Sequence, residues 1–271
     1  QRSKDRNFLT HFCRKIFSRF SYNRVCYLHS KRQMASPLLA CPYFALIALF
    51  YRQSDGFIQK YDNSYEYWKT LPVLILSVLC YLIGAGLRGR ERAYTALGLL
   101  FGAFGDYLIC RTEDGLITGA TAFGIGHIFY LLTFAHRVRQ LHYTLTLFAC
   151  ISGSLIVCGV APIVADNRIN GLIVLTYSFL LSMCLVLSGS LYFHGARNEP
   201  PHQLNNLLRF IGFSLFYGSD TMLVLQHIGF RIPFAEKLIL LSYFLAQYLI
   251  VWATCMTHRI CAERHLANRL R

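Results

Sequence analysis

Two aspartates and one histidine stand in this chain where almost every neighbour is apolar: Asp106 in LFGAFGD, His127 in FGIGHIFY and Asp220 in SLFYGSD. Ionisable side chains inside segments long enough to enter a bilayer mark functional sites, because lipid does not solvate them. Asp106 and Asp220 each fall thirteen residues beyond the start of an apolar stretch, at Ala93 and Leu207. By the rise of an α-helix each carboxylate then lies about 20 Å along its segment, so the two meet if their helices are neighbours. Two carboxyl groups a few ångströms apart in low dielectric cannot both ionise; the pair holds one proton and offers a general acid beside a general base. The alternative is that each Asp bonds only to helix backbone or to a nearby Ser or Thr. Tyr130 follows His127 by three residues and shares its helix face. A neutral imidazole there is suited to orient an Asp or a water, or to ligate a metal; the plainer outcome is a buried histidine satisfied by one hydrogen bond.

Other chemistries find less in the sequence. Ser219 adjoins Asp220 but has no nearby base, and there is no G-x-S-x-G, which argues against a serine hydrolase. There is no H-x-x-x-H or H-E-x-x-H, so a zinc site would need ligands from separate helices, and no metal ligand is assigned. No phosphate-cradling glycine loop is present and no cofactor is expected. The cysteines lie mostly within the apolar segments, with no C-x-x-C, and read as small buried hydrophobes.

The elements that must position these groups are membrane helices. With 271 residues, 55% of them hydrophobic and 15% charged, and a mean hydropathy of +0.39, the chain is too apolar for an ordinary soluble domain. The net charge of +14 does not point to a nucleic-acid partner, because the basic residues crowd the tails and the short links between apolar runs, as in membrane proteins. Eight stretches approach the length of a span: 35–51, 69–87, 93–110, 116–135, 142–162, 171–193, 207–228 and 236–257. Most links are short, which makes successive helices antiparallel neighbours. Glycines 102, 105, 119, 124 and 126 flank the polar residues, and small faces of this kind allow close helix packing or give substrate access.

The expected fold is all-α, a polytopic transmembrane helical bundle of about eight spans. Segment 1–33 is a basic tail, solvated or lying on an anionic leaflet as an amphipathic helix; 34–258 is the membrane domain and 259–271 a second basic tail. Nine Lys and Arg in the first tail, with Arg259, Arg264, Arg269 and Arg271 in the second, place both termini in the cytosol by the positive-inside bias. No cleaved signal peptide is visible, so the first span is expected to serve in targeting. LFGAFGD and SLFYGSD also resemble each other four spans apart, as a parallel repeat or as chance would produce.

The order of GLLFGAFGDYLI, GATAFGIGHIFYLLTF, GFSLFYGSDTMLV and SYFLAQYLIVWA between Gly98 and Ala253 resembles the lysoplasmalogenase (YhhN) family of eight-span membrane proteins. The segment TMLVLQHIGF departs from the family pattern, and the basic amino-terminal tail lies outside it. The resemblance implies hydrolysis of the vinyl ether bond of lysoplasmalogens to a fatty aldehyde and glycerophospho-ethanolamine or glycerophospho-choline. It carries the catalytic pair onto Asp106 and Asp220, with His127 and Tyr130 as a third element, and implies residence in the endoplasmic reticulum or another intracellular membrane. The expected partners are the lysophospholipid substrate and membrane lipids; Ser219 is an orienting candidate, and Arg111 a candidate for the phosphate at a basic rim. Two other readings of the residues stand beside it: a proton- or ion-coupled transporter and a metal-dependent hydrolase of lipid amides.

Overall fold

The computed structural model describes the backbone of residues 35–58, 64–83, 87, 89–112, 115–164, 167–196 and 199–270, with side chains among these over 39–162 and 167–257. The basic segment 1–33 lies outside the described residues. The chain divides into two units, Gln1–Leu38 and Leu39–Arg271; of the first, only the helical backbone of 35–38 is described, and the helix packing and the site belong to the second. Among the described residues there are eight α-helices and no strand: α1 Ala35–Gln53, α2 Tyr65–Ile83, α3 Gly89–Arg111, α4 Gly115–Phe134 with a 3₁₀ turn at Ala135–Arg137, α5 Tyr143–Val164, α6 Arg168–His194, α7 Leu204–His227 and α8 Ala235–Leu270. The seven from α2 to α8 are long and apolar enough to cross a membrane. In α1, which contains Pro42, Leu39, Tyr43, Ile47 and Phe50 are buried at helical spacing, and Tyr43 donates a 2.8 Å hydrogen bond to the Phe244 carbonyl of α8.

Two helix boundaries differ from the hydropathy pattern for a physical reason. α2 begins at Tyr65, four residues before the expected start, so Glu66 and Lys69 enter its first turns. Both charges are compensated: Arg111 Nη1 lies 3.1 Å from Glu66 Oε1 and Lys69 Nζ 3.6 Å from Asp106 Oδ1. At the other end, α8 continues as helix to Leu270 through the segment read as a basic tail.

Packing links α2, α3, α4, α6, α7 and α8 in that order, and α8 returns to touch α2. The six form a ring, and α5 lies outside it against α6, with a smaller contact to α7. Side chains pointing into the ring make the core, including Leu76, Leu99, Phe123, Tyr130, Phe213 and Phe244. At one end of the ring the 3₁₀ turn, the α6–α7 connection and α8 enclose a polar knot. Arg209, only 1% exposed, reaches Asn206 Oδ1 at 3.4 Å and Thr257 Oγ1 at 3.2 Å, with its guanidinium carbon 5.2 Å from the Phe134 ring centroid. Arg137 pairs with Glu199 at 2.5 Å beside it. Gly195 turns the chain at φ +72, where a Cβ would stand 2.5 Å from the Glu199 carbonyl oxygen; only glycine meets both demands.

Candidate active site inside the helix ring

A seam of glycines on α3 gives the site its room. Gly98, Gly102 and Gly105 follow one another at helical spacing, and a Cβ on them would lie 2.5 Å from Tyr130 Cε1, 3.0 Å from Gln247 Nε2 and 2.8 Å from Phe123 Cδ2 respectively. These glycines are therefore packing positions, and what packs on them is the polar machinery itself.

From that seam a buried relay runs across three helices to α2. Tyr130 Oη donates to Gln247 Oε1 at 2.6 Å, Gln247 Nε2 donates to Tyr243 Oη at 3.2 Å, and Tyr243 Oη donates to Asp106 Oδ2 at 2.6 Å. The carboxylate only accepts, so the single Tyr243 proton is given to Asp106 and the Gln247 amide must turn its NH₂ to Tyr243 and its oxygen to Tyr130. Lys69 closes the relay at the other Asp106 oxygen, its Nζ also 3.9 Å from Cys110 Sγ. Every member is buried. Asp106 is thus the anion of an ion pair, the arrangement that makes a buried charge tolerable.

Asp220 has a different setting. It is half-buried, accepts a hydrogen bond from Tyr177 Oη of α6, and has no cation bonded to it among the described residues. It lines a cavity of about 40 Å³ together with Phe123, Tyr177, Val160 and Val174, large enough for a water molecule. α3 and α7 stand on opposite sides of the ring, so the condition for direct contact between the carboxyl groups is not met, and no hydrogen bond joins Asp106 to Asp220. Phe123, Phe216 and Tyr243 pack edge to face between them, with centroids 5.4–6.1 Å apart.

His127 sits beside this partition, 1% exposed. Its Nδ1 meets the Phe123 carbonyl at 2.7 Å, and since a carbonyl only accepts, Nδ1 carries the proton. Nε2 has no hydrogen-bond partner among the described residues, and the ring lies 4.7 Å from that of Phe216 and 5.7 Å from that of Tyr177, centroid to centroid. A buried bare nitrogen of this kind is an available acceptor.

The remaining candidates are placed differently. Ser219 donates to the Ile239 carbonyl at 2.9 Å, so its hydroxyl ties α7 to α8. Arg111 lies at the end of α3 with its side chain 56% exposed while holding Glu66. His136, His194 and His227, which are not among the candidates, are exposed at helix ends. Lys69 and Tyr177 carried no signal in the sequence: one reads as a loop charge, the other as a lone tyrosine in LIVLTYSFLL. Tyr243 and Gln247 stand out in the sequence only as part of SYFLAQYLIVWA, one of the stretches that carry the family resemblance. Among the described residues no three His, Cys, Asp or Glu side chains converge as a metal site requires.

The profile of the YhhN family matches residues 65–254, the stretch that holds every residue of this site. No curated protein and no solved structure matches the chain.

Proposed function

The chain belongs to the YhhN family, and from that membership we propose that it is a membrane hydrolase cleaving the vinyl ether bond of lysoplasmalogens in the endoplasmic reticulum or another intracellular membrane. The observation that carries the proposal is the unequal pairing of two carboxyl groups inside the helix bundle: buried Asp106 with a lysine, half-buried Asp220 with a phenol and a small cavity. Hydrolysis of an alkenyl ether begins with proton transfer to carbon, which needs an acid held out of water and an anion near the cation that forms. Asp220 is the acid. It protonates the alkenyl carbon remote from the ether oxygen, leaving an oxocarbenium ion that the new Asp220 carboxylate and the Asp106 anion stabilise. Water adds to the cationic carbon and gives its proton back to Asp220, with His127 Nε2 orienting the water. The hemiacetal then collapses to a fatty aldehyde and glycerophospho-ethanolamine or glycerophospho-choline. Tyr130, Gln247 and Tyr243 position Asp106 through the relay, and Arg111 at the rim receives the phosphate.

The test is aldehyde release from an alkenyl-lysophospholipid by purified protein, with the alkyl ether as an inert control. Wild type should release aldehyde whether or not a chelator is present, and Asp106→Asn and Asp220→Asn should each lose at least about a hundredfold in turnover. No aldehyde from folded wild type would overturn the reading and favour the transporter; chelator-sensitive release would replace the carboxylate mechanism with a metal.

A further inference from the structure

A second and larger cavity, about 420 Å³, lies between α5 and α6 outside the helix ring. Its volume is that of a small-ligand site. Along α6 its lining runs from Leu175 to Val186, a length of about 16 Å by the helical rise. One leaflet of a bilayer is about 15 Å of hydrocarbon. The space exists because the facing side chains are small: a Cβ on Gly153 would lie 3.4 Å from Ser182 Oγ and 3.6 Å from Ser178 Oγ. Its flank is open sideways, where Cys150, Ser154 and Cys158 are exposed.

The groove and the cavity under the carboxylate are built on the same two helices. Val157, Cys158, Leu175 and Ser178 line its near end, and Val160, Val174 and Tyr177, neighbours on the same two helices, line the cavity under Asp220. From there the groove runs toward the carboxy-terminal end of α6, away from the face at which α3 ends with Arg111 and α7 with His227. A lysolipid whose phosphate is at that face sends its chain in this direction. We propose that the α5–α6 groove holds the hydrocarbon chain of the lysophospholipid, entering sideways from the bilayer, with its first carbons at Asp220. The inference rests on the hydrolase reading and adds to it where the chain lies and what limits its length.

Two measurements on protein reconstituted in phosphatidylcholine vesicles test it. In the first, an uncleavable alkyl-lysophospholipid with a mid-chain diazirine is photo-crosslinked to wild type; the label should map to groove residues of α5 and α6 and be displaced by unlabelled lysolipid. In the second, Ser154→Phe narrows the groove about 9 Å along α5 from Val160 of the Asp220 cavity, and should cut turnover on an octadecenyl substrate about tenfold more than on an octenyl one. Label confined to other helices, or an unchanged chain-length profile in folded Ser154→Phe, overturns the groove and leaves the hydrolase standing. Label in the groove with no aldehyde from wild type overturns the hydrolase and leaves the groove as a lysolipid site.

Discussion

Lys69 makes Asp106 half of an ion pair in the middle of apolar packing, and that fixes how the pair responds to mutation. Removing one partner leaves an uncompensated buried charge, which costs about 3–5 kcal/mol, whereas removing both charges together costs much less. Lys69→Met should therefore lower Tm strongly, and Lys69→Met with Asp106→Asn should recover most of that loss while remaining inactive. A thermal-melt cycle over the four proteins reads the coupling; additive losses would mean that the 3.6 Å approach carries no ion pair. Asp220 belongs to no such pair, so Asp220→Asn should leave Tm nearly unchanged while removing activity.

At the scale of elements, α3 is the platform. Tyr130, Gln247 and Phe123 lie on its glycine seam, so enlarging a seam residue displaces the relay before it displaces the helix. Gly98→Ala, whose Cβ would fall 2.5 Å from Tyr130, should cost about 1–3 kcal/mol and reduce aldehyde release. Adding Tyr130→Leu should restore the Tm without restoring activity, since the room returns and the hydrogen bond to Gln247 does not. The helices were legible as apolar runs, and Asp106, Asp220 and His127 as ionisable residues inside them. Lys69 was not, because hydropathy ends a span at its first charges and cannot tell that Glu66 and Lys69 find partners 37–45 residues away, as they do in Arg111 and Asp106. Tyr177 was not, because one tyrosine in an apolar helix gains meaning only from the carboxylate it faces. The expectation that the two Asp meet needed neighbouring helices, and linear order does not tell which helices are opposite in a ring.

For the whole molecule, the ring is closed around two polar centres, the site and the Arg209 knot. Each Asp takes a partner from the helix before its own, Lys69 of α2 for Asp106 and Tyr177 of α6 for Asp220. Phe123 and His127 of α4 mirror Tyr243 and Gln247 of α8, each four residues apart. That correspondence gives the likeness of LFGAFGD and SLFYGSD a structural counterpart. About 16 Å along α7 from Asp220, Arg209 lies too far away to hold the phosphate of a substrate bound there, so its role is to fasten α7, α8 and the end of α4. Arg209→Met should lower Tm by about 5 °C and leave KM for the lysolipid unchanged; a raised KM with an unchanged Tm would assign Arg209 to the substrate instead.

Hydrolysis of an alkenyl-lysophospholipid in deuterium oxide, with the aldehyde trapped by reduction, tests the central claim most directly. If Asp220 protonates carbon, the product carries one deuterium on the carbon next to the former carbonyl, and folded Asp220→Asn makes at least about a hundredfold less of it. Aldehyde formed without that deuterium, or formed at the wild-type rate by folded Asp220→Asn, would contradict the account.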